Sequence, residues 1–88
     1  MPYINSIQPN SGDRGDRFTV TILGDGFTHV VGIDFGAGIT DSFLSIPDDG
    51  TIRVKISIAP DAVSGPRDVT LTDVLGASTI QHGGFTVL

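Results

Sequence analysis

The sequence predicts an all-β fold, an antiparallel two-sheet sandwich of about seven short strands. Three observations carry this reading. Apolar residues recur at every second position through most segments, the period of a strand with one buried and one wet face. Composition favours strands over helices: Ile, Val and Thr make up 27 of 88 residues, Leu and Ala nine, and all ten acids are Asp with no Glu. Twelve Gly and five Pro fall in clusters about a dozen residues apart, the spacing of turns between short strands.

The strands are expected at 3–8, 17–23, 30–35, 40–46, 51–58, 67–72 and 77–87. Pro9 lacks the N–H a ladder needs, so it ends the first strand at an edge where one sheet hands over to the other. In the second, Phe18, Val20 and Ile22 alternate with Thr19, Thr21 and Leu23. In the third, Ile33 and Phe35 flank Asp34. The fifth carries the clearest pattern, Ile52, Val54, Ile56 and Ile58 between Thr51, Arg53, Lys55 and Ser57. A slip of one residue there would bury Arg53 and Lys55, so its register is strongly determined. Val69 and Leu71 mark the sixth, and Phe85 and Val87 close the seventh, which is expected to break at Gly83-Gly84.

Turns are read at Ser11-Gly12 with Gly15, Gly24-Asp25-Gly26, Gly36-Ala37-Gly38, Asp48-Asp49-Gly50, Gly65-Pro66 and Gly76. Gly24 and Gly26 suit backbone with φ > 0, letting Phe27 fold back over one end of the core. Pro60-Asp61-Ala62-Val63 is the one stretch suited to a helical turn, as a connector. The predicted core is Phe18, Val20, Ile22, Phe27, Ile33, Phe35, Ile52, Val54, Ile56, Val69, Leu71, Phe85 and Val87.

Residues 1–88 read as one domain, long enough to bury roughly 60–65% of the surface its unfolded chain exposes. The last strand runs to the final residue, as in one bead of a string or a very compact stand-alone protein. A formal charge of −5 and basic residues scattered among Asp disfavour nucleic acid and anionic membranes as partners. No apolar run is long enough to insert in a membrane. With no Cys, disulfides and thiolate metal sites are excluded, and no cofactor is expected.

The residues also carry a family resemblance. Ile4-x-x-Ile7-x-Pro9-x-x-Gly12, then Gly15, then Phe18-Thr19-Val20-Thr21-Ile22-x-Gly24-x-Gly26-Phe27 resemble the opening of IPT/TIG domains, the immunoglobulin-like fold of plexins and transcription factors. Val31-x-Ile33-x-Phe35-Gly36, Gly65-Pro66-x-x-Val69-x-Leu71 and Phe85-Thr86-Val87 are similar to later strands of that family, in order along the whole chain. The resemblance implies an immunoglobulin-like sandwich. It also implies a spacer or interaction module, as in cell-surface receptors, microbial surface proteins and polysaccharide-degrading enzymes. In Rel-type transcription factors such domains dimerise and touch DNA.

Chemistry-bearing residues are few. Arg14-Gly15-Asp16 is the tripeptide integrins read, yet Gly15 is accounted for by the turn. Asp25, Asp48 and Asp49 are weak calcium candidates, as hard oxygen ligands in loops, with Asp13 and Asp16 close together elsewhere. Asp-Gly turn chemistry explains them without an ion. His29 and His82 lie far apart without Cys, which disfavours zinc. No Ser or Thr sits in a nucleophile elbow, and a small sandwich lacks a walled cleft for paired carboxylates, so catalysis is not expected. Sugar platforms need exposed aromatics. With no Trp, and with Tyr3 and Phe43 the aromatics free to serve, glycan binding is disfavoured.

The expected function is therefore a non-catalytic module, a spacer or protein-docking domain of a larger secreted or surface-exposed microbial protein. Its partners would be other proteins or neighbouring domains, with contacts at sheet edges around Thr40–Ile46 and Ser78–Gln81. Two alternatives fit the same sequence: a stand-alone virion decoration or tail-accessory protein, and an accessory domain of a polysaccharide-active enzyme.

Overall fold

A computed structural model describes residues 2–88, without the side chains of Phe43 and Leu44. Its strands are β1 (Tyr3–Gln8), β2 (Ser11–Gly12), β3 (Arg17–Asp25), β4 (Val30–Asp34), β5 (Ile39–Asp48), β6 (Thr51–Ile58), β7 (Gly65–Asp73) and β8 (Ser78–Val87). They form two four-stranded sheets, β1-β3-β6-β5 and β2-β8-β7-β4, with an apolar layer between them. The architecture is an immunoglobulin-like β-sandwich.

The alternation read in the sequence sets the faces. β3 and β6 pair antiparallel with Phe18 opposite Ile56, Val20 opposite Val54 and Ile22 opposite Ile52, so the apolar members of both strands share the inner side. Phe27, Phe35 and Phe85 are fully buried, as are Val20, Ile22, Ile52, Val54, Val69 and Leu71, while Ile56 and Val87 are nearly so. Phe85 sits at the centre of an aromatic group. Its ring meets Phe35 edge-on at 5.6 Å and lies tilted 6.2 Å from Phe18. Phe18 and Ile33, expected in the core, are only partly buried and pack against its margin.

Pro9 stands where the chain leaves the first sheet. β1 pairs with β3 in one sheet, and two residues beyond the cis Gln8–Pro9 peptide the chain re-forms as β2 in the other. That short strand raises the count to eight, and it pairs parallel to β8, so the sandwich is not purely antiparallel. The hydrogen bonds Thr86 N–H to Asn10 O and Leu88 N–H to Gly12 O, each 2.9 Å, tie it down.

Three further expectations need correcting. β8 does not break at Gly83-Gly84; the two glycines belong to a bulge. Arg67 pairs with Phe85 and Val69 with Gln81, so His82, Gly83 and Gly84 stand opposite Asp68 alone. The Asp68 carboxylate accepts the stranded Gly83 N–H at 3.0 Å, and Gly83 takes φ +64°, which few other residues tolerate. Pro60–Val63 forms no helical turn, only a tight turn closed by Ala62 N–H to Ala59 O. Gly24, unlike Gly26 at φ +73°, has no positive φ. It is required because a Cβ there would lie 1.9 Å from the Tyr3 carbonyl oxygen and 2.7 Å from the Phe27 ring.

Among the described residues no helix is long and apolar enough to cross a membrane.

Candidate interaction surface

At one end of the sandwich the β5–β6 turn clamps the β3–β4 loop. The Asp49 carboxylate accepts the Thr28 N–H at 3.0 Å, the Gly26 N–H at 3.3 Å and the Thr28 hydroxyl. The Asp49 carbonyl accepts the Phe27 N–H at 2.9 Å, which seats the Phe27 ring over the core. Hydrogen bonds from the Thr28 hydroxyl and N–H, then Gly26 N–H and the His29 charge, hold the Asp49 carboxyl below its ordinary value against slight desolvation. Asp48 accepts the Gly50 N–H at 2.9 Å. The weak calcium candidates Asp25, Asp48 and Asp49 thus gather at this end, but two of them are occupied with backbone. Among the described residues no group of three or more metal-ligating side chains forms.

A group whose pKa is lower folded than unfolded stabilises the fold above the unfolded value, and the gain fades as pH falls through the folded one. Asp49→Asn is therefore expected to lower Tm at about pH 7, with the gap from wild type closing below about pH 4. Thermal unfolding across that range checks it; a pH-independent gap would show that the ionised carboxylate does not matter.

Elsewhere the chemistry-bearing residues are turned to structural use. The Asp16 carboxylate accepts the Asp13 N–H at 3.0 Å and its carbonyl accepts the Ile58 N–H. The Asp of Arg14-Gly15-Asp16 is thus folded into its own loop. His82 is 3.2 Å from Asp68, both exposed, a surface pair worth little to stability. The Asp68 carboxyl is held low, first by the Gly83 N–H and then by His82. Arg67 donates to the carbonyls of Ala37 and, at 2.6 Å, Val63, joining two loops at the opposite end.

Of the two edge segments expected to make contacts, Thr40–Ile46 lies on β5, an outer strand of its sheet. Desolvation, and then the Asp34 charge, push the Asp41 carboxyl there above its ordinary value. A charge at such an edge discourages strand-on-strand pairing. Ser78–Gln81 pairs with β7 alone, because β2 reaches only Thr86 and Val87 of β8. Tyr3 is exposed, and the side chain of Phe43 lies outside the described residues.

Three of the five basic residues are gathered on one face, while Arg14 and Arg67 lie elsewhere. Arg17, Arg53 and Lys55 all project, exposed, from the outer face of the first sheet. Pairing turns that face into a grid: Arg17 opposite Ser57, Thr19 opposite Lys55, Thr21 opposite Arg53, Leu23 opposite Thr51. Ser42 flanks Lys55 and Ser45 flanks Arg53. Two cations thus run along β6 and a third, Arg17, stands diagonal to Lys55 on β3, in a field of hydroxyls, and among the described residues none of them forms an ion pair. Strand acids enter this outward set only at its far end, as Asp25 and Asp48, and Asp41 borders the cleft beside Arg17 and Lys55. Beside the stripe, Gln8, Pro9, Thr21 and the exposed Leu23 line a mostly apolar cleft of about 500 Å³.

Comparison with curated proteins gives no match. The family model for the IPT/TIG domain matches residues 2–87, essentially the whole sandwich from β1 to β8. Members of that family are generally non-catalytic immunoglobulin-like modules that mediate protein–protein or DNA interactions. With its sheet-switching first segment, its two facing sheets and this match over its length, the chain belongs to the IPT/TIG family.

Proposed function

We propose that the chain is a non-catalytic spacer and protein-docking module, one of several in a larger secreted or surface-exposed microbial protein. The observation that carries the reading is the polarity of the chain path. Tyr3, opposite Asp25, lies at the end built from the β3–β4 and β5–β6 loops, while Leu88 bonds back to Gly12 at the other. The body between measures 33 Å in its longest dimension and about 20 Å across. A module entered at one end and left at the other adds length to a string of domains.

The same path sets how load would be borne. Tension between the two ends draws β1 and β2 one way and β8 the other. The β2–β8 hydrogen bonds, lying across the strands, are then strained together in shear. Anchoring at Val63 and Leu88, both at one end, would instead peel β8 away from Gly65 inward, bond by bond. Single-molecule pulling is expected to give a clearly higher unfolding force between residues 2 and 88 than between residues 63 and 88. Equal forces would remove the support for a load-bearing spacer. A denaturing blot of the source material showing no band above 9.2 kDa would sink the multi-module setting.

A further inference from the structure

We infer that the outer face of the β1-β3-β6-β5 sheet docks a short, extended acidic peptide of the pattern acid-x-acid-x-apolar. The inference rests on reading the chain as an interaction module and names the partner that module takes.

Spacing argues for the pattern. Lys55 and Arg53 are two residues apart on β6, about 6.8 Å along the strand, which is also the repeat of same-side residues in an extended peptide. A peptide laid along β6 with acids over Lys55 and Arg53 places its next same-side residue over the row formed by Thr51 and Leu23. There the exposed Leu23 offers apolar surface, at the near wall of the cleft that Thr21, Gln8 and Pro9 continue toward β1. Arg17, diagonal to Lys55, can take a further acid upstream.

Charge argues for a short segment. Outside the stripe the protein carries only Arg14 and Arg67 against ten Asp. A long polyanion would leave the three cations and run onto repelling surface, toward Asp25 and Asp48 at one end or Asp13 and Asp16 at the other. The apolar cleft favours a peptide over an acidic glycan, which has no bulky apolar side chain to place there. The exposed Tyr3 on this sheet stands opposite Asp25, beyond the cations, and so is poorly placed to stack a base of a single strand held by them.

The test uses the full chain and a synthetic peptide in which two Asp alternate with Ser and a Leu follows the second Ser. Amide resonances of Thr19, Thr21, Leu23, Arg53 and Lys55 are expected to shift on titration. Affinity should fall at least about tenfold in Arg53→Gln/Lys55→Gln, and again between about 0.1 and 0.5 M salt. Replacing the peptide Leu by Ser should weaken binding at an unchanged salt dependence. Arg14→Gln serves as the control and should leave affinity unchanged. All of these side chains are exposed, so the variants should keep the wild-type Tm.

No shift on this face at millimolar peptide, or equal affinity in the double variant, would overturn the inference. So would tighter binding of a sulfated glycan fragment or an oligothymidylate to the same residues. Failure here with shear resistance intact rejects the face and leaves the spacer. Peptide binding without shear resistance does the reverse.

Discussion

Gly24→Ala is expected to cost roughly 3 kcal/mol or more, among the largest effects a methyl group can have in a domain of typical marginal stability. The cause is crowding against backbone. The added Cβ would sit 1.9 Å from the Tyr3 carbonyl oxygen and 2.7 Å from the Phe27 ring, and a carbonyl in a paired strand cannot swing aside as a side-chain tip can. The start of β1 must then lift from β3, and the Gly24 N–H to Gly50 O bond of 3.0 Å strains with it. Gly76→Ala is the matching control: φ is +85° there but nothing lies within 4 Å of the new Cβ, so only left-handed strain of about 1–2 kcal/mol applies. Denaturant unfolding of both variants decides the matter. A Gly24→Ala cost no greater than that of Gly76→Ala would show that β1 shifts freely. Faster amide exchange confined to Tyr3, Ile4 and their β3 partners would locate the damage.

Phe85→Ala is expected to lower stability by about 4 kcal/mol, or Tm by about 20 °C. Phe85 is fully buried and touches two other rings, edge-on to Phe35 and tilted toward Phe18. Truncation removes transfer energy, leaves a cavity and takes away both ring contacts. Neighbours have little room to collapse, because Gly12 already lies against the Phe18 ring, where a Cβ would come within 2.6 Å of it. Phe85→Leu should cost clearly less, since it retains most of the volume. Equal losses in the two variants would place the effect in ring geometry and not in volume.

How much of this was legible in advance varies from element to element. β6 announces itself, because Ile52 to Ile58 alternate with charged and hydroxyl residues, and that pattern has one tolerable facing. β2 does not. It is two residues long, has no alternation, and exists because β8 offers it unpaired backbone. Gly83-Gly84 reads as a break in sequence, since two glycines commonly end a strand. The Asp68 carboxylate, from β7, satisfies the surplus N–H and lets the strand continue. Gly24 is visible as a required glycine, but its reason, the approach of the Tyr3 carbonyl, belongs to a strand twenty residues earlier.

The same division runs through the candidate surface. Arg53 and Lys55 occupy wet positions of β6 in the sequence itself. Arg17, more than thirty residues earlier, joins them only through the pairing that sets it opposite Ser57. Asp48-Asp49-Gly50 shows as a turn, yet nothing local says that Asp49 will hold Thr28 and Gly26. The sequence by itself determined strand character, the inward set of residues and the sandwich class, because a period of two is a property of the local backbone and needs no partner. Tertiary structure alone decided which exposed side chains became neighbours. Lateral contacts follow strand order and register, and those are settled jointly, by which inner faces fill one core without voids.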